Sequence, residues 1–354
     1  MSLLAHEEVV VRRGRRSGIY IVVSIHSTAL GPALGGLRLW RYEALGDAIA
    51  DGLRLSEAMT YKAAAAGLDL GGGKAVICMP RERKLPPDER RDLMLDVGDI
   101  VDTLEGRYVT AEDVGTCTDD MTIIRERTDH VVGLPIDSGG SGDPSPITAR
   151  GVESAIRASC GHRYGSGDLA ARRVTVIGLG HVGSRLAERL SADGAELAVS
   201  DIDPAKREIA EGLGARWLDP ADATTADCEV LAPCALGGAI DAENVERLRC
   251  EIICGAANNV LAERSLAGRL AERGILYVPD FIANAGGLIH VYGELHSLDP
   301  RKLDVLVDRI GEAVGRIVTA AEARSVTPLA AARTLAEERM DAARDVPVIV
   351  HATG

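Results

Sequence analysis

Aromatic side chains are scarce in this sequence: one Phe, two Trp and seven Tyr among 354 residues. A core with so few rings has to be filled by Ala, Val, Leu and Ile. Paired cysteines are missing as well. Cys78, Cys117, Cys160, Cys228, Cys234, Cys250 and Cys254 form no CxxC pair, are odd in number and mostly sit in apolar stretches. That is the pattern of reduced, buried thiols, not of a disulfide framework or a metal site, and no metal is expected. No apolar run reaches the roughly 18–20 residues of a membrane span. The N-terminal MSLLAHEEVVVRRG lacks a signal-peptide layout, so a cytoplasmic protein is expected. Positive charge is in deficit, 40 Lys and Arg against 53 Asp and Glu for a net −13, which argues against nucleic acid or an anionic membrane as partner.

What is present is a globular composition, 46% hydrophobic and 26% charged, on a chain long enough for two domains. The first third mixes both periodicities. GIYIVVSIHS (18–27) reads as a strand and the following TALGPALGGLRLW as turn-rich. Leu45, Ala48, Ile49, Leu53 and Met59 keep helical spacing from Ala44 to about Ala66. KAVICM and RYVTAED read as short strands with the helix RRDLMLDVGDIVDTL between them. Gly, Ser, Pro and Asp then crowd into PIDSGGSGDPSP (135–146), a loop or interdomain crossing. A helix follows from Ile147 to about Ser159. Alternating strand and helix patterns run to about Pro279, the mark of a parallel, doubly wound sheet. Residues 300–345 read as one helical stretch. The tail DVPVIVHATG matches no recognisable pattern.

RRVTVIGLGHVGSRLAERLSADGAELAVSDID (172–203) carries the clearest motif. Gly178, Gly180 and Gly183, with Leu179, His181 and Val182 between them, fit G-x-G-x-x-G. The string follows a strand and opens a helix, the context in which it binds a dinucleotide pyrophosphate. Asp201 ends the next strand, 18 positions after Gly183, followed by Ile202 and Asp203 and by no Arg. An acid there accepts the ribose hydroxyls of NAD and repels the extra phosphate of NADP. NAD is the expected cofactor; the alternative is a Rossmann-like turn that binds FAD or no nucleotide.

GLDLGGGKAVI (67–77) poses a separate question, because three glycines run into Lys74. A phosphate-binding loop would need Gly and Ser or Thr where Leu68 and Ala75 stand, so that reading fails. Set beside RYVTAEDVGT (107–116), NAGGLIHVYGEL (284–295), GPALGGLRLW (31–40), APCALGG (232–238) and GAANN (255–259), the segment MTYKAAAAGLDLGGGKAVI (59–77) resembles the leucine/valine/phenylalanine dehydrogenases. These are relatives of glutamate dehydrogenase, and the branched-chain members are the better match. The resemblance covers residues 6–345. It implies an N-terminal α/β domain for substrate binding and oligomerisation (1–135 and 326–354) and a Rossmann-like NAD domain (136–325). A C-terminal helix would return to the first domain, and the chain would form a homo-oligomer, dimeric or octameric.

The resemblance also implies roles for single residues. Lys62 matches the lysine that holds the substrate α-carboxylate, Lys74 the catalytic lysine, and Asp113 the aspartate that relays a proton to and from the amino nitrogen. A lysine can activate the water that attacks an iminium only if its pKa falls toward the working pH, which burial and a nearby cation promote. On this reading Gly71 to Gly73 leave room for substrate beside Lys74. Thr148, Ala235, Leu236, Ala257, Asn258 and Asn284 match positions around the nicotinamide and its ribose, with Asn258 also near the substrate nitrogen. Leu34, Gly35, Gly36, Met59, Ala111, Leu288 and Val291 match the substrate pocket. Leu34 and Val291 stand where glutamate dehydrogenases place a lysine and a serine, and apolar groups cannot repay the desolvation of a carboxylate. Leu288 departs from the valine of the leucine and valine enzymes and would shorten the pocket. His290 departs from an amide-bearing residue.

The function implied is reversible, NAD-dependent oxidative deamination of a valine- or leucine-like amino acid. A pathway-specific relative with an unusual or aromatic substrate, and a silent sensor of NAD or amino acid, are the alternatives.

Overall fold

The computed structural model describes residues 5–344, and the tail lies outside them. The chain divides into two compact units. Among the described residues, unit 1 holds the chain up to Gly142, Val291–Ser297 and the chain from Ala336 on; unit 2 holds Asp143–His290 and Leu298–Leu335. The division falls after Gly142, where 135/136 was expected, and the C-terminal return begins at Ala336, where 326 was expected. The first difference has a local cause. The Glu294 carboxylate accepts from the backbone N–H of Gly133 (2.9 Å) and Ser141 (3.0 Å) and from the Ser141 hydroxyl (2.6 Å), so the Gly/Pro-rich loop stays with unit 1.

Unit 1 is built on β1 (Glu8–Arg13), β2 (Tyr20–Ser27), β3 (Ala33–Tyr42), α1 (Leu45–Ala65), β4 (Gly71–Pro80), α2 (Pro87–Asp102), β5 (Tyr108–Glu112) and α3 (Thr118–Arg125). Its five-stranded sheet has the order β1-β2-β4-β3-β5. The β1–β2 and β2–β4 pairs are antiparallel, while β4–β3 and β3–β5 are parallel. Alternation sends Ala75, Ile77 and Met79 of β4 to one face, against Leu93, Met94 and Val97 of α2 and Met121 and Ile124 of α3. Val76 and Val22 go to the other face, against Ala48, Leu45 and Ile49 of α1. As the composition requires, aliphatic residues dominate this core and Tyr108 is its one ring. The GPALGG segment is a correction: the turn-rich reading is a ten-residue strand, because Ala33, Leu34 and Leu37 are fully buried in the sheet.

Unit 2 continues with α4 (Ser145–Tyr164), β6 (Arg173–Ile177), α5 (His181–Ala192), β7 (Glu196–Ser200), α6 (Arg207–Gly212), β8 (Arg216–Trp217), α7 (Pro220–Ala223), β9 (Val230–Pro233), β10 (Ile252–Ile253), α8 (Leu266–Glu272), β11 (Leu276–Tyr277) and α9 (Asp280–Ala283). The sheet order is β11-β10-β9-β6-β7-β8, with every pair parallel. This is the Rossmann order, reversing direction between β6 and β9, and the doubly wound expectation is borne out. Three helices complete the described chain: α10 (Gly286–Leu295), α11 (Pro300–Arg324) and α12 (Pro328–Arg344). The helical segment expected over 300–345 consists of two helices, which divide close to the 325/326 boundary expected there. Ser325 adopts a left-handed φ of 52° that ends α11, and Pro328 starts α12 afresh. All seven cysteines are free thiols. Burial pushes the Cys234 thiol up to about 12 and Cys160 to about 11, so neither is a nucleophile at neutral pH. No helix among the described residues is long and apolar enough to cross a membrane.

Candidate active site

Lys74 occupies the fourth position of β4 and is only 5% exposed. It lies on the α1 face, two residues from Gly72 and from Val76. Its ammonium donates to Asp113 Oδ2 at 2.7 Å. Asp113 follows β5, and the sheet order puts β3 between β4 and β5. The contact must therefore cross β3. Between the register pairs Leu34↔Gly72 and Leu37↔Ala75 the crossing strand carries Gly35 and Gly36, and Gly36 pairs with Ala111 of β5. Gly36, on the face that Lys74 uses, leaves the lane open.

Burial lowers the Lys74 pKa, and the negative charge of Asp113 opposes that only in part. Burial alone would raise Asp113, yet the Lys74 ammonium and then the Arg38 guanidinium hold it below the ordinary carboxylate value. The pair thus has the character of an acid–base site, a lysine pushed toward neutrality and a carboxylate kept charged. Arg38 also donates to Asp51 of α1. Sequence reasoning missed Arg38 because it read β3 as turn-rich. In a strand, Arg38 stands two residues beyond Gly36 and so shares its face, which is the signal that would have found it.

The three glycines before Lys74 are packed closely by the protein itself. A Cβ on Gly71 would lie 2.0 Å from the Ser27 carbonyl oxygen, on Gly72 2.1 Å from the Thr60 nitrogen, and on Gly73 2.5 Å from the Tyr108 ring. All three are required by strand, helix and ring packing within unit 1. Gly35 is likewise fixed by Gly73, whose carbonyl oxygen would be 1.7 Å from an added Cβ.

Register places Leu34 and Ala111 on the face that Lys74 uses, and both are buried. Met59 and Lys62 are half-buried in the last two turns of α1. The C-terminal end of α1 is held by Arg339 of α12, whose guanidinium donates to the carbonyls of Ala64 (3.1 Å) and Leu68 (2.7 Å), and by Tyr61, which donates to Glu337 at 2.6 Å. Leu288 and Val291 are three apart on α10 and share a side of that helix. Buried His290 lies between them in sequence.

Unit 2 carries a second constellation at the C-terminal ends of β6, β7 and β9. Gly178 has φ +95°, and a Cβ there would meet Ala235 at 2.7 Å. A Cβ on Gly183 would meet the Gly178 carbonyl oxygen at 1.9 Å. Around Gly180, by contrast, no protein atom lies within 4 Å of an added Cβ. The first and third glycines are demanded by the protein, and the second faces open space, as it should if an incoming pyrophosphate is what needs the room. His181 and Val182 open α5, whose N-terminal N–H groups suit an anion. Asp201 Oδ2 accepts from the Leu179 N–H at 2.6 Å, tying the acid to the glycine turn. Ile202 and Leu236, after β7 and β9, are 88% and 86% exposed, apolar surfaces on either side of that turn.

The loop after β9 packs on the loop after β10, because Gly237 lets the Asn258 carbonyl approach. That places Ala235 and Leu236 beside Ala257 and Asn258. Asn284 donates to Asn258 Oδ1 at 2.8 Å and to the Ala256 carbonyl at 3.2 Å, while its own buried Oδ1 accepts nothing. Thr148 is buried at the start of α4, its hydroxyl on the Pro144 carbonyl at 2.9 Å. A dinucleotide therefore fits the residues present. Among the described residues no cluster suited to a metal ion occurs.

Family models match parts of both units. Residues 5–130 match the family model described as Glu/Leu/Phe/Val dehydrogenase, dimerisation domain, and residues 203–346 that of Glutamate/Leucine/Phenylalanine/Valine dehydrogenase. The leucine dehydrogenase of Bacillus subtilis (strain 168) is 41% identical over 341 residues, 96% of this chain and 92% of that protein. The valine dehydrogenase of Streptomyces virginiae is 42% identical over 343 residues, 96% of this chain and 95% of that protein. Among solved structures, the L-tryptophan dehydrogenase from Nostoc punctiforme superposes with a TM-score of 0.86 at 38% identity, covering 96% of this chain and 97% of that one.

Proposed function

Because the chain belongs to the glutamate/leucine/phenylalanine/valine dehydrogenase family, we propose that it is a reversible NAD-dependent deaminase of aliphatic L-amino acids of valine or leucine size. Amino-acid dehydrogenase activity with a nicotinamide cofactor follows from the family itself; the choice of NAD, the substrate and the residue roles are our proposal. The observation that carries it is the 2.7 Å contact between buried Lys74 and Asp113.

In this reading Lys62 binds the substrate α-carboxylate. Neutral Lys74 takes a proton from the water that attacks the substrate iminium, and Asp113 carries a proton to and from the amino nitrogen. Bound NAD supplies the acceptor for the hydride that leaves the substrate Cα. Gly178, Gly180, Gly183 and the first turn of α5 would hold its pyrophosphate and Asp201 its ribose, with Ile202 beside the adenine end. Thr148, Ala235, Leu236, Ala257, Asn258 and Asn284 would hold the nicotinamide end.

Apolar Leu34 and Ala111, with Met59, Leu288 and Val291, favour an aliphatic side chain over glutamate. One methylene is worth only about 1–3 kcal/mol in such a pocket, so overlapping use of valine and leucine is expected. The similarity to a tryptophan dehydrogenase supports a second reading, an aromatic substrate. The match of residues 5–130 to a dimerisation domain supports a homo-oligomer, which sedimentation velocity measures directly.

The deciding assay follows NADH formation at alkaline pH with valine, leucine, isoleucine, 2-aminobutyrate, phenylalanine, tryptophan and glutamate, with NADP in parallel. Turnover of aliphatic substrates with NAD is the expected result. Preference for tryptophan or phenylalanine would move the pocket to the second reading, and preference for glutamate would overturn both.

A further inference from the structure

The Asp113 carboxylate is shared. Oδ2 accepts from Lys74 Nζ at 2.7 Å and from Arg38 Nε at 3.1 Å. A second Arg38 nitrogen donates to Asp51 Oδ2 at 3.1 Å, and Asp51 also accepts from the Tyr42 hydroxyl and from Arg54, each at 2.7 Å. The chain of contacts runs from β4 through the end of β5 to β3 and on to α1, all within unit 1. Four of its members are largely shielded from water, with side-chain exposures of 6% for Lys74, 25% for Asp113, 21% for Arg38 and 17% for Asp51, whereas Arg54 is 45% exposed.

We propose that Arg38 is a positioning residue of this site: bridging Asp113 and Asp51, it fixes the Asp113 carboxylate and remains as its cation once Lys74 has given up its proton. The reason lies in the charges. Asp113 Oδ2 faces two cations, Lys74 and Arg38, while Arg54 reaches only Asp51 and does so from an exposed position. With Lys74 neutral, Arg38 still supplies Asp113 with a cation in a poorly solvated place. Without Arg38 a neutral Lys74 would leave Asp113 with none, and the pair would keep its proton. A guanidinium suits the task because it stays charged and its planar fork can serve two carboxylates at once.

The two flanking charges act on Lys74 with opposite sign, Arg38 lowering its pKa and Asp51 raising it. Other ionisable groups on the surrounding elements include His26 of β2, which hydrogen-bonds to Thr60, Glu57 and Lys62 of α1, Cys78 of β4, and Tyr108 and Glu112 of β5. The test leaves all of these in place.

The inference rests on the reading of Lys74 as the base, and the experiment separates the two. The pH dependence of kcat for oxidative deamination, which reports groups in the substrate complex, is measured between pH 7 and 11 on the full chain. The proteins compared are wild type, Arg38→Met, Arg38→Lys and Asp51→Asn, each with its thermal unfolding curve. Arg38→Met moves the ascending limb about one pH unit to the alkaline side, and Asp51→Asn moves it to lower pH. Arg38→Lys brings the limb back toward wild type but leaves kcat depressed, since an ammonium cannot span both carboxylates. Limbs that stay put, or that move in the same direction in Arg38→Met and Asp51→Asn, overturn the proposal while the activity of the wild type keeps the function intact. If Arg38→Met does not fold, the downward shift in Asp51→Asn still decides. A wild type silent on every amino acid would remove the function and this inference together.

Discussion

Gly36 and Asp113 stand so close that a Cβ on the glycine would lie 2.7 Å from the aspartate Cβ. The position of β3 that separates Lys74 from Asp113 is thus occupied by backbone alone, and the ion pair depends on that gap. Gly36→Ala pushes Asp113 away from Lys74. We expect kcat to fall at least tenfold with a loss of stability of about 1–3 kcal/mol, as for overpacked sites. Steady-state kinetics and urea unfolding on the same preparation check both. Full activity with unchanged stability would show that the crossing has slack.

Removing the lysine itself is the sharper test of chemistry. Lys74→Ala should lose about 10²-fold or more in kcat while binding of the dinucleotide to unit 2, followed by fluorescence titration, persists. In the wild type, burial lowers Lys74 from the ordinary lysine value of about 10.4. The neutral form is the active base, so kcat for deamination rises with pH and levels off before that ordinary value is reached. A limb still rising there would mean that another group is the base.

Asp201, in the proposed function, decides between the two nicotinamide dinucleotides. Its carboxylate is oriented by the Leu179 N–H at 2.6 Å, so a substitution disturbs charge and turn together. Asp201→Asn should lower kcat/KM with NAD roughly 10- to 100-fold, the worth of hydrogen bonds to a charged group, and raise it with NADP. An unchanged NAD/NADP ratio would remove Asp201 from cofactor selection.

Glu294 lies outside both constellations and holds structure. Its carboxylate collects the Gly133, Leu134 and Ser141 N–H groups and the Ser141 hydroxyl. Glu294→Gln keeps the shape and loses the charge, which should cost about 1–3 kcal/mol of stability. Hydrogen exchange over residues 133–141 should accelerate in the variant. A Tm and exchange pattern equal to wild type would show that the loop is held elsewhere.

Local pattern made a large part of this protein legible. The strand RVTVI, its glycine turn and the acid 18 positions later are consecutive features of one βαβ unit, and their chemistry depends on neighbours in sequence. The same holds for α1 and α2, whose apolar spacing is helical, and for Lys74 on an apolar strand. The α11–α12 break was legible in part, since Pro328 marks a fresh helix start, but the left-handed turn at Ser325 was not. The glycines were legible only as glycines. Whether Gly36, Gly71, Gly72 or Gly73 is small for a ligand or for a neighbour depends on which strand or helix passes alongside, and that is set by sheet order. Sheet order also places β3 between β4 and β5, and so brings Arg38 and Asp51 to a carboxylate 75 and 62 positions further along the chain. Sequence alone determined the types of chemistry this chain carries, because those follow from residue identity and short-range periodicity. Only the tertiary structure decided which charges share a buried space, because electrostatic coupling follows distance and burial, and neither is written along the chain.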